Sequence, residues 1–170
     1  MNTVIVDLDN CISDDSWRIP HINWQKSNPL ERYHDYHSLA AFDRIGNEDI
    51  IFSARAGVDQ VVIFTARPVM YRAATEEWLR RNNVPFKYLI MRNNNDHRPS
   101  LELKRSMLHW LPELYDVPWH SIVGAYDDRP DVVEMYRKHH MPGYLRSIHD
   151  VCAYTPPPVN TNNTITVSAQ

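Results

Sequence analysis

Only two of the 170 residues are cysteine, Cys11 and Cys152. They form no Cys-x-x-Cys pair and no cluster with zinc spacing, so a disulfide scaffold and a zinc-built fold are excluded and reduced thiols are expected. No run of about 18 apolar residues occurs, which removes a membrane-spanning helix and any membrane partner. The chain opens without a basic stretch leading into a long apolar one, so no signal peptide is expected. Basic charge is not in surplus either: 18 Lys and Arg stand against 21 Asp and Glu, a net −3. A protein that wraps long nucleic acid needs many phosphate-neutralising cations, and this chain has no such excess. There is no GxxxxGK[ST] loop, so kinase chemistry is not expected. There is no internal repeat. His109, His120, His139, His140 and His149 are scattered without ligand spacing and read as surface or packing residues.

What is present is a regular alternation. The length suits one domain with a small insertion. Thr3–Leu8 is a short β-branched apolar run that reads as a buried strand. Residues 9–47 are polar, aromatic and His-rich, and long enough that a functional insertion is expected, with some helix around His37–Ile45. Asn47–Ala56 reads as a helix stopped by Gly57. Strands are then expected at Val61–Phe64, Phe86–Met91, Ile122–Tyr126 and Tyr144–Ile148. Helices are expected at Pro68–Asn82, Pro99–Leu114 and Pro130–His140, with proline at the start of each. The expected fold is α/β, a Rossmann-like parallel sheet flanked by helices. Residues 1–150 would form the domain, with an insertion at about 14–45 after strand one, and 151–170 a loose tail rich in Pro, Asn and Thr.

Parallel sheets bind ligands beyond the carboxyl ends of their strands. The residues with chemical potential fall there. Strand one runs into Asp7-Leu8-Asp9, strand two into Thr65-Ala66-Arg67, and strand four into Asp127-Asp128-Arg129, while Lys104 lies early in the helix after strand three. Taken singly, each has a plainer use: a cap for an Asp, a turn for Thr65, a solvated face for Lys104, a salt bridge for Arg129. Together they make a set. Four carboxylates on one rim repel each other, and a hard cation such as Mg²⁺ relieves this through oxygen ligands. The cation attracts a phosphate, Thr65 can donate to it, and Lys104 and Arg67 can neutralise charge that builds up. One carboxylate is then free to attack phosphorus and another to move the proton.

With those residues in place, the sequence resembles the haloacid dehalogenase-like superfamily of hydrolases. The matching segments are DLDNC (Asp7–Cys11), FTAR (Phe64–Arg67), LIMR (Leu89–Arg92), ELKR (Glu102–Arg105) and DDRPDVVEMYR (Asp127–Arg137). Their wording is most similar to the 3′-phosphatase domain of phage polynucleotide kinases and related small phage phosphatases. The resemblance implies a small cap after strand one, Asp7 as nucleophile and Asp9 as acid/base. It implies that Thr65 and Lys104 hold the phosphate. It also implies Mg²⁺ on Asp7, Asp127 and the backbone carbonyl of Asp9, with Asp128 supporting that shell. Arg18, nine residues after Asp9, and Arg67 match substrate-side arginines; Asn10, Ala66 and Trp17 complete the expected substrate contacts. The implied location is the cytoplasm, of the host cell for a phage protein. The sequence departs from the family at Asn10-Cys11, where Gly-Thr is usual, and at Ser100, where an acid often precedes the lysine. Asparagine tolerates the left-handed backbone that such a turn needs.

The insertion carries Trp17, Trp24, Tyr33, His34, Tyr36, His37 and Phe42, a set suited either to stacking on a base or to a small core of its own. Its charge is balanced, which favours a nucleotide or a short nucleic-acid end over a long strand. The motifs leave 5′ and 3′ phosphates equally open. Two other readings stand beside the phosphatase: a phospho-accepting receiver domain, and a haloacid dehalogenase-like binding protein with an inactive site.

Overall fold

The computed structural model describes residues 1–149. The expected tail at 151–170 lies outside the described residues. In chain order the elements are β1 (Thr3–Val6), β2 (Ser13–Asp14), α1 (Pro29–Arg32), α2 (His34–Ser38), β3 (Arg44–Ile45), α3 (Glu48–Gly57), β4 (Gln60–Pro68), α4 (Arg72–Arg81), β5 (Tyr88–Arg92), α5 (Ser100–Leu114), β6 (Ile122–Asp127), α6 (Pro130–Lys138) and β7 (Gly143–Leu145).

β1 is buried on both faces, and its side chains alternate between them as strand geometry requires. Val4 and Val6 join Val61 and Ile63 of β4 under α3 and α4, where Trp78 and Leu79 are fully covered. Ile5 joins Val62, Phe64 and Ile90 on the other face, under Leu103, Met107, Leu108 and Leu111 of α5 and Val132, Met135 and Tyr136 of α6. The result is three layers, helix–sheet–helix. The strands lie in the order β5-β4-β1-β6-β7, all parallel. Counting only these five in chain order, that is third-second-first-fourth-fifth, the Rossmann half-order. A receiver domain has the order second-first-third-fourth-fifth, so the receiver reading is excluded by topology. The chain reverses direction across the sheet between β1 and β6, and the crevice at that switch is where a ligand is expected.

β2 and β3 pair antiparallel, Ser13 opposite Ile45 and Asp14 opposite Arg44, and so close the base of the inserted segment. Some helix is expected near His37–Ile45, and the segment holds several short helical pieces. They are a 3-10 turn at Ser16–His21, the short helices α1 and α2, and another 3-10 turn at Ala40–Phe42. Pro68 does not open a helix. It ends β4 in extended conformation, a 3-10 turn at Val69–Tyr71 follows, and α4 starts at Arg72. Proline fits an edge or an irregular strand end as readily as a helix start, and the β4–β5 register is irregular between Thr65 and Pro68. Left-handed backbone occurs at Asn10, Asn47, Asn83, Asp116 and His140, and no glycine has positive φ. Asparagine and aspartate carry the sharp turns that glycine usually serves. Gly143 is required for space against backbone: a Cβ there would come 2.8 Å from the Val133 carbonyl oxygen. Among the described residues no helix is long and apolar enough to cross a membrane.

Candidate active site

Asp7 is the first residue past β1, and its N–H still donates to the Tyr126 carbonyl at 3.0 Å. This bond extends the β1–β6 pairing and brings Asp7 beside Asp127 and Asp128 at the end of β6. One oxygen from each of Asp7, Asp127 and Asp128 lies within 4.8 Å of the others, and all three residues are buried. Lys104 projects from the buried stripe of α5 that also carries Leu108 and Leu111. Its Nζ sits 2.9 Å from Asp7 Oδ1 and 2.6 Å from Asp127 Oδ2. Three buried carboxylates against one ammonium leave an excess of negative charge. Burial pushes the Asp7 carboxyl well above the usual carboxylate range; Lys104 opposes this, while Asp127 and Asp128 add to it. Burial pushes Asp128 up to about 6. Burial disfavours the charged form of Lys104, but Asp127 and Asp7 outweigh it and hold the ammonium charged. A cluster of oxygen ligands that resists its own ionisation fits a hard divalent cation such as Mg²⁺.

Asp9 has the opposite surroundings. Arg18 Nη2 and Arg67 Nη2 each lie 2.6 Å from its Oδ1, and Arg67 Nε adds bonds of 3.0 and 3.1 Å. Burial pushes Asp9 up, but Arg67 and Arg18 overcome it and hold the carboxyl well below the usual range. Both guanidinium groups also bind Asp43. Arg18 donates to it through Nε and Nη2 at 2.7 Å each, and Arg67 Nη2 lies 3.3 Å away. Two arginines and two aspartates form a neutral buried quartet. Trp78 Nε1 donates to the Asp43 carbonyl at 2.9 Å, and Trp17 Nε1 to its Oδ1 at 3.0 Å, so the quartet also ties the inserted segment to α4.

A cavity of about 480 Å³ opens over these groups, within the range of small-molecule sites. Asp7, Asp9, Lys104 and Asp128 reach it from the sheet end, and Leu30, Tyr33, Tyr36 and His37 wall it from the insertion. Arg92 also lines it, donating to the carbonyls of Ala66, Asp96 and Arg98 at 3.0, 2.9 and 2.7 Å. Among the described residues Arg92 makes no ion pair, so its charge is offered to the cavity.

Of the residues expected from sequence, Asp7, Asp9, Lys104, Ala66 and Asp128 line the cavity, and Asp127 lies directly behind, bonded to Lys104. The others do not line it. Arg18 and Arg67, expected on the substrate side, are fully covered and bonded to Asp9, Asp43, Ser13 and the Tyr36 carbonyl, while Arg67 Nη1 is buried with no hydrogen-bond partner among the described residues. Thr65 is fully buried, and its hydroxyl accepts from the Arg67 N–H at 3.2 Å. Trp17 is 41 % exposed and turned to Asp43 and His21, away from the cavity. The Asn10 side chain is committed elsewhere, as described below. Sequence reasoning missed Asp43, whose only signal was an acid balancing two arginines, and gave no role to Arg92, although LIMR (Leu89–Arg92) is one of the segments that carry the resemblance.

The sheet order, Asp7 and Asp9 after its central strand and the lysine bridging Asp7 to Asp127 define a phosphohydrolase of the haloacid dehalogenase class. Residues 1–144 match the family described as the polynucleotide kinase PNKP phosphatase domain, and the chain belongs to that family; it is a phosphatase domain of the haloacid dehalogenase type. It is similar to a chain in the Pnkp1/Rnl/Hen1 RNA repair complex (24% identity, TM-score 0.63), over 85% of this chain and 42% of that one. The chain thus spans less than half of that relative. A hydrolase from Streptococcus pneumoniae TIGR4 shares the fold at 14% identity and TM-score 0.55, over 86% of this chain and 94% of that one. A haloacid dehalogenase family enzyme from Bacteroides thetaiotaomicron, solved in complex with magnesium and inorganic phosphate, does so at 11% identity and TM-score 0.51, over 89% and 97%. No curated protein sequence matches the chain.

Proposed function

We propose that this chain is a Mg²⁺-dependent phosphomonoesterase that acts on a nucleotide or a nucleic-acid terminal phosphate through an aspartyl-phosphate on Asp7. The observation that carries this reading is the Lys104 ammonium bridging Asp7 and Asp127 at the floor of the cavity. Asp7, Asp127 and Asp128 would hold the cation, which supplies positive charge to ionise them and to draw in the phosphoryl oxygens. A free oxygen of the Asp7 carboxylate attacks phosphorus and the bond to the leaving alcohol breaks. Asp9 gives that alcohol its proton, then takes one from the water that hydrolyses the aspartyl-phosphate. Lys104 stabilises charge on the transferring group. In the free chain the two arginines keep Asp9 ionised, so it must gain a proton first. An incoming phosphate dianion provides the cause, since a like charge nearby raises a carboxyl pKa.

The cavity walls support this substrate class. Tyr33 and His37 offer aromatic faces to a base, and Arg92 offers an uncommitted cation to phosphate. The RNA-repair relative supports including nucleic-acid ends. At the Asn10-Cys11 departure, Asn10 takes the left-handed turn at φ 59°, which supports an intact motif backbone there. The test is phosphate release from 5′- and 3′-nucleoside monophosphates and from 3′-phosphorylated DNA and RNA oligonucleotides, with and without Mg²⁺. Release that requires Mg²⁺ and is lost in Asp7→Asn is expected. Near-normal turnover by Asp7→Asn would remove the nucleophile assignment, and no release from any substrate would leave an inactive binding protein as the better reading.

A further inference from the structure

Asn10 is fully buried one residue after Asp9, and its carboxamide makes four hydrogen bonds. Nδ2 donates to Asp128 Oδ2 at 3.1 Å and to the His149 carbonyl at 3.0 Å. Oδ1 accepts from the N–H groups of Ile148 at 3.0 Å and His149 at 2.8 Å. Two donors and two acceptors exhaust an amide, so nothing is left for a substrate. The segment it grips, Arg146–His149, follows β7 and touches the site again on both sides. The Arg146 N–H donates to the Asp127 carbonyl at 2.9 Å. His149 Nε2 lies 2.6 Å from Asp15 Oδ1, and Asp15 accepts from the hydroxyl of Tyr36 on the cavity wall. Ile148 packs so closely on Gly46, at the exit of the insertion, that a Cβ there would be 2.5 Å from its Cδ1.

We infer that Asn10 is a positioning residue for Asp128, and that Arg146–His149 is a strap through which the inserted segment and the metal-binding carboxylates are held together. The inference rests on the phosphatase reading of Asp7, Asp127 and Asp128. Its physical basis is orientation. A carboxylate that must present one oxygen to a cation needs its other oxygen fixed, and Asn10 Nδ2 does this for Asp128. Asn10 in turn is fixed by backbone amides that belong to the strap. Loss of such outer partners typically lowers metal affinity by about 10–100-fold.

Three measurements test it. In Asn10→Gly the backbone keeps its left-handed turn, because glycine adopts positive φ freely. The Mg²⁺ concentration for half of the Mg²⁺-induced rise in melting temperature, read without substrate, is expected to increase about 10-fold or more. His149→Ala does not touch Asp128, yet it is expected to shift the same titration in the same direction. In the wild-type full chain, hydrogen exchange at the Ile148 and His149 amides is expected to slow when Mg²⁺ is added, since coupling between two sites is reciprocal. This last readout needs no variant to fold. An Mg²⁺ titration unchanged in Asn10→Gly, or exchange at 148 and 149 indifferent to Mg²⁺ while the wild type binds it, overturns the strap and leaves the phosphatase reading standing. A wild type that shows no response to Mg²⁺ overturns both.

Discussion

Asp7 and Asp9 are separated by one residue, yet their charge environments are opposed. Asp7 shares a buried space with Asp127 and Asp128 and resists ionisation; Asp9 lies between two guanidinium groups and resists protonation. Environments that push two carboxyls apart mark a division of chemical labour. On the proposed reading, the cation would ionise Asp7 and the phosphate would raise Asp9. His37 shows the same logic at the cavity wall. Burial lowers its imidazole to about 3; Asp9 opposes that, and Arg18, Arg67 and Arg92 add to it. Its Nδ1 is buried without a hydrogen-bond partner among the described residues. A histidine held neutral in the fold but free to charge when unfolded contributes stability above its ordinary value near 6.5. That stability is lost as the pH falls from there towards about 3. His37→Phe removes the group, so the difference between urea midpoints at pH about 7.5 and about 5 is expected to shrink. An equal difference in variant and wild type would show that His37 is not the source.

At the scale of elements, the inserted segment is built to present a wall. β2 and β3 pin its base, the Asp43 quartet ties its start at Arg18 to its end at Asp43, and Trp78 of α4 holds Asp43 from the core side. Tyr33 ends α1 and packs on Trp24, Tyr36 and His37, with ring centroids 6.0–6.1 Å apart. Tyr33, Tyr36 and His37 are therefore both part of a small core and a cavity lining; one use does not exclude the other. Base–aromatic stacking contributes about 1–3 kcal/mol. Tyr33→Ala is accordingly expected to raise KM for a nucleotide by about 5- to 150-fold while leaving a small phosphate ester without a base nearly unaffected. Equal losses on both substrates would place Tyr33 in the structure of the wall alone. In α5, Lys104 occupies the stripe that packs on the sheet, in register with Leu108 and Leu111. A lysine on an apolar stripe is a signal the helical period could have supplied, and it separates Lys104 from the solvated lysines that most helices carry.

At the scale of the molecule, the sheet order places Asp7 and the Asp127-Asp128 pair on either side of the point where the chain changes direction. Three buried carboxylates with one ammonium between them are a standing cost to the fold, and a bound cation would offset it. The chain is expected to melt at a higher temperature in excess Mg²⁺ than in EDTA. The gain would approach about 2.7 kcal/mol at a hundred times the dissociation constant. An identical melting temperature in both would remove the metal from the site. The alternation of strands and helices, the three-layer fold and the placement of Asp7, Asp9, Lys104, Asp127 and Asp128 were legible in the sequence. Local period decides which face of a strand or helix is buried, and a parallel sheet puts the residues after its strands on one rim. The partners of Arg18, Arg67 and Asn10 were not legible. Arg18 and Asp43 stand 25 residues apart in the chain, and Asn10 and His149 stand 139 apart. Nothing in local patterning specifies which buried donor meets which distant acceptor. That choice belongs to the packed chain, where a guanidinium removed from water must find carboxylates.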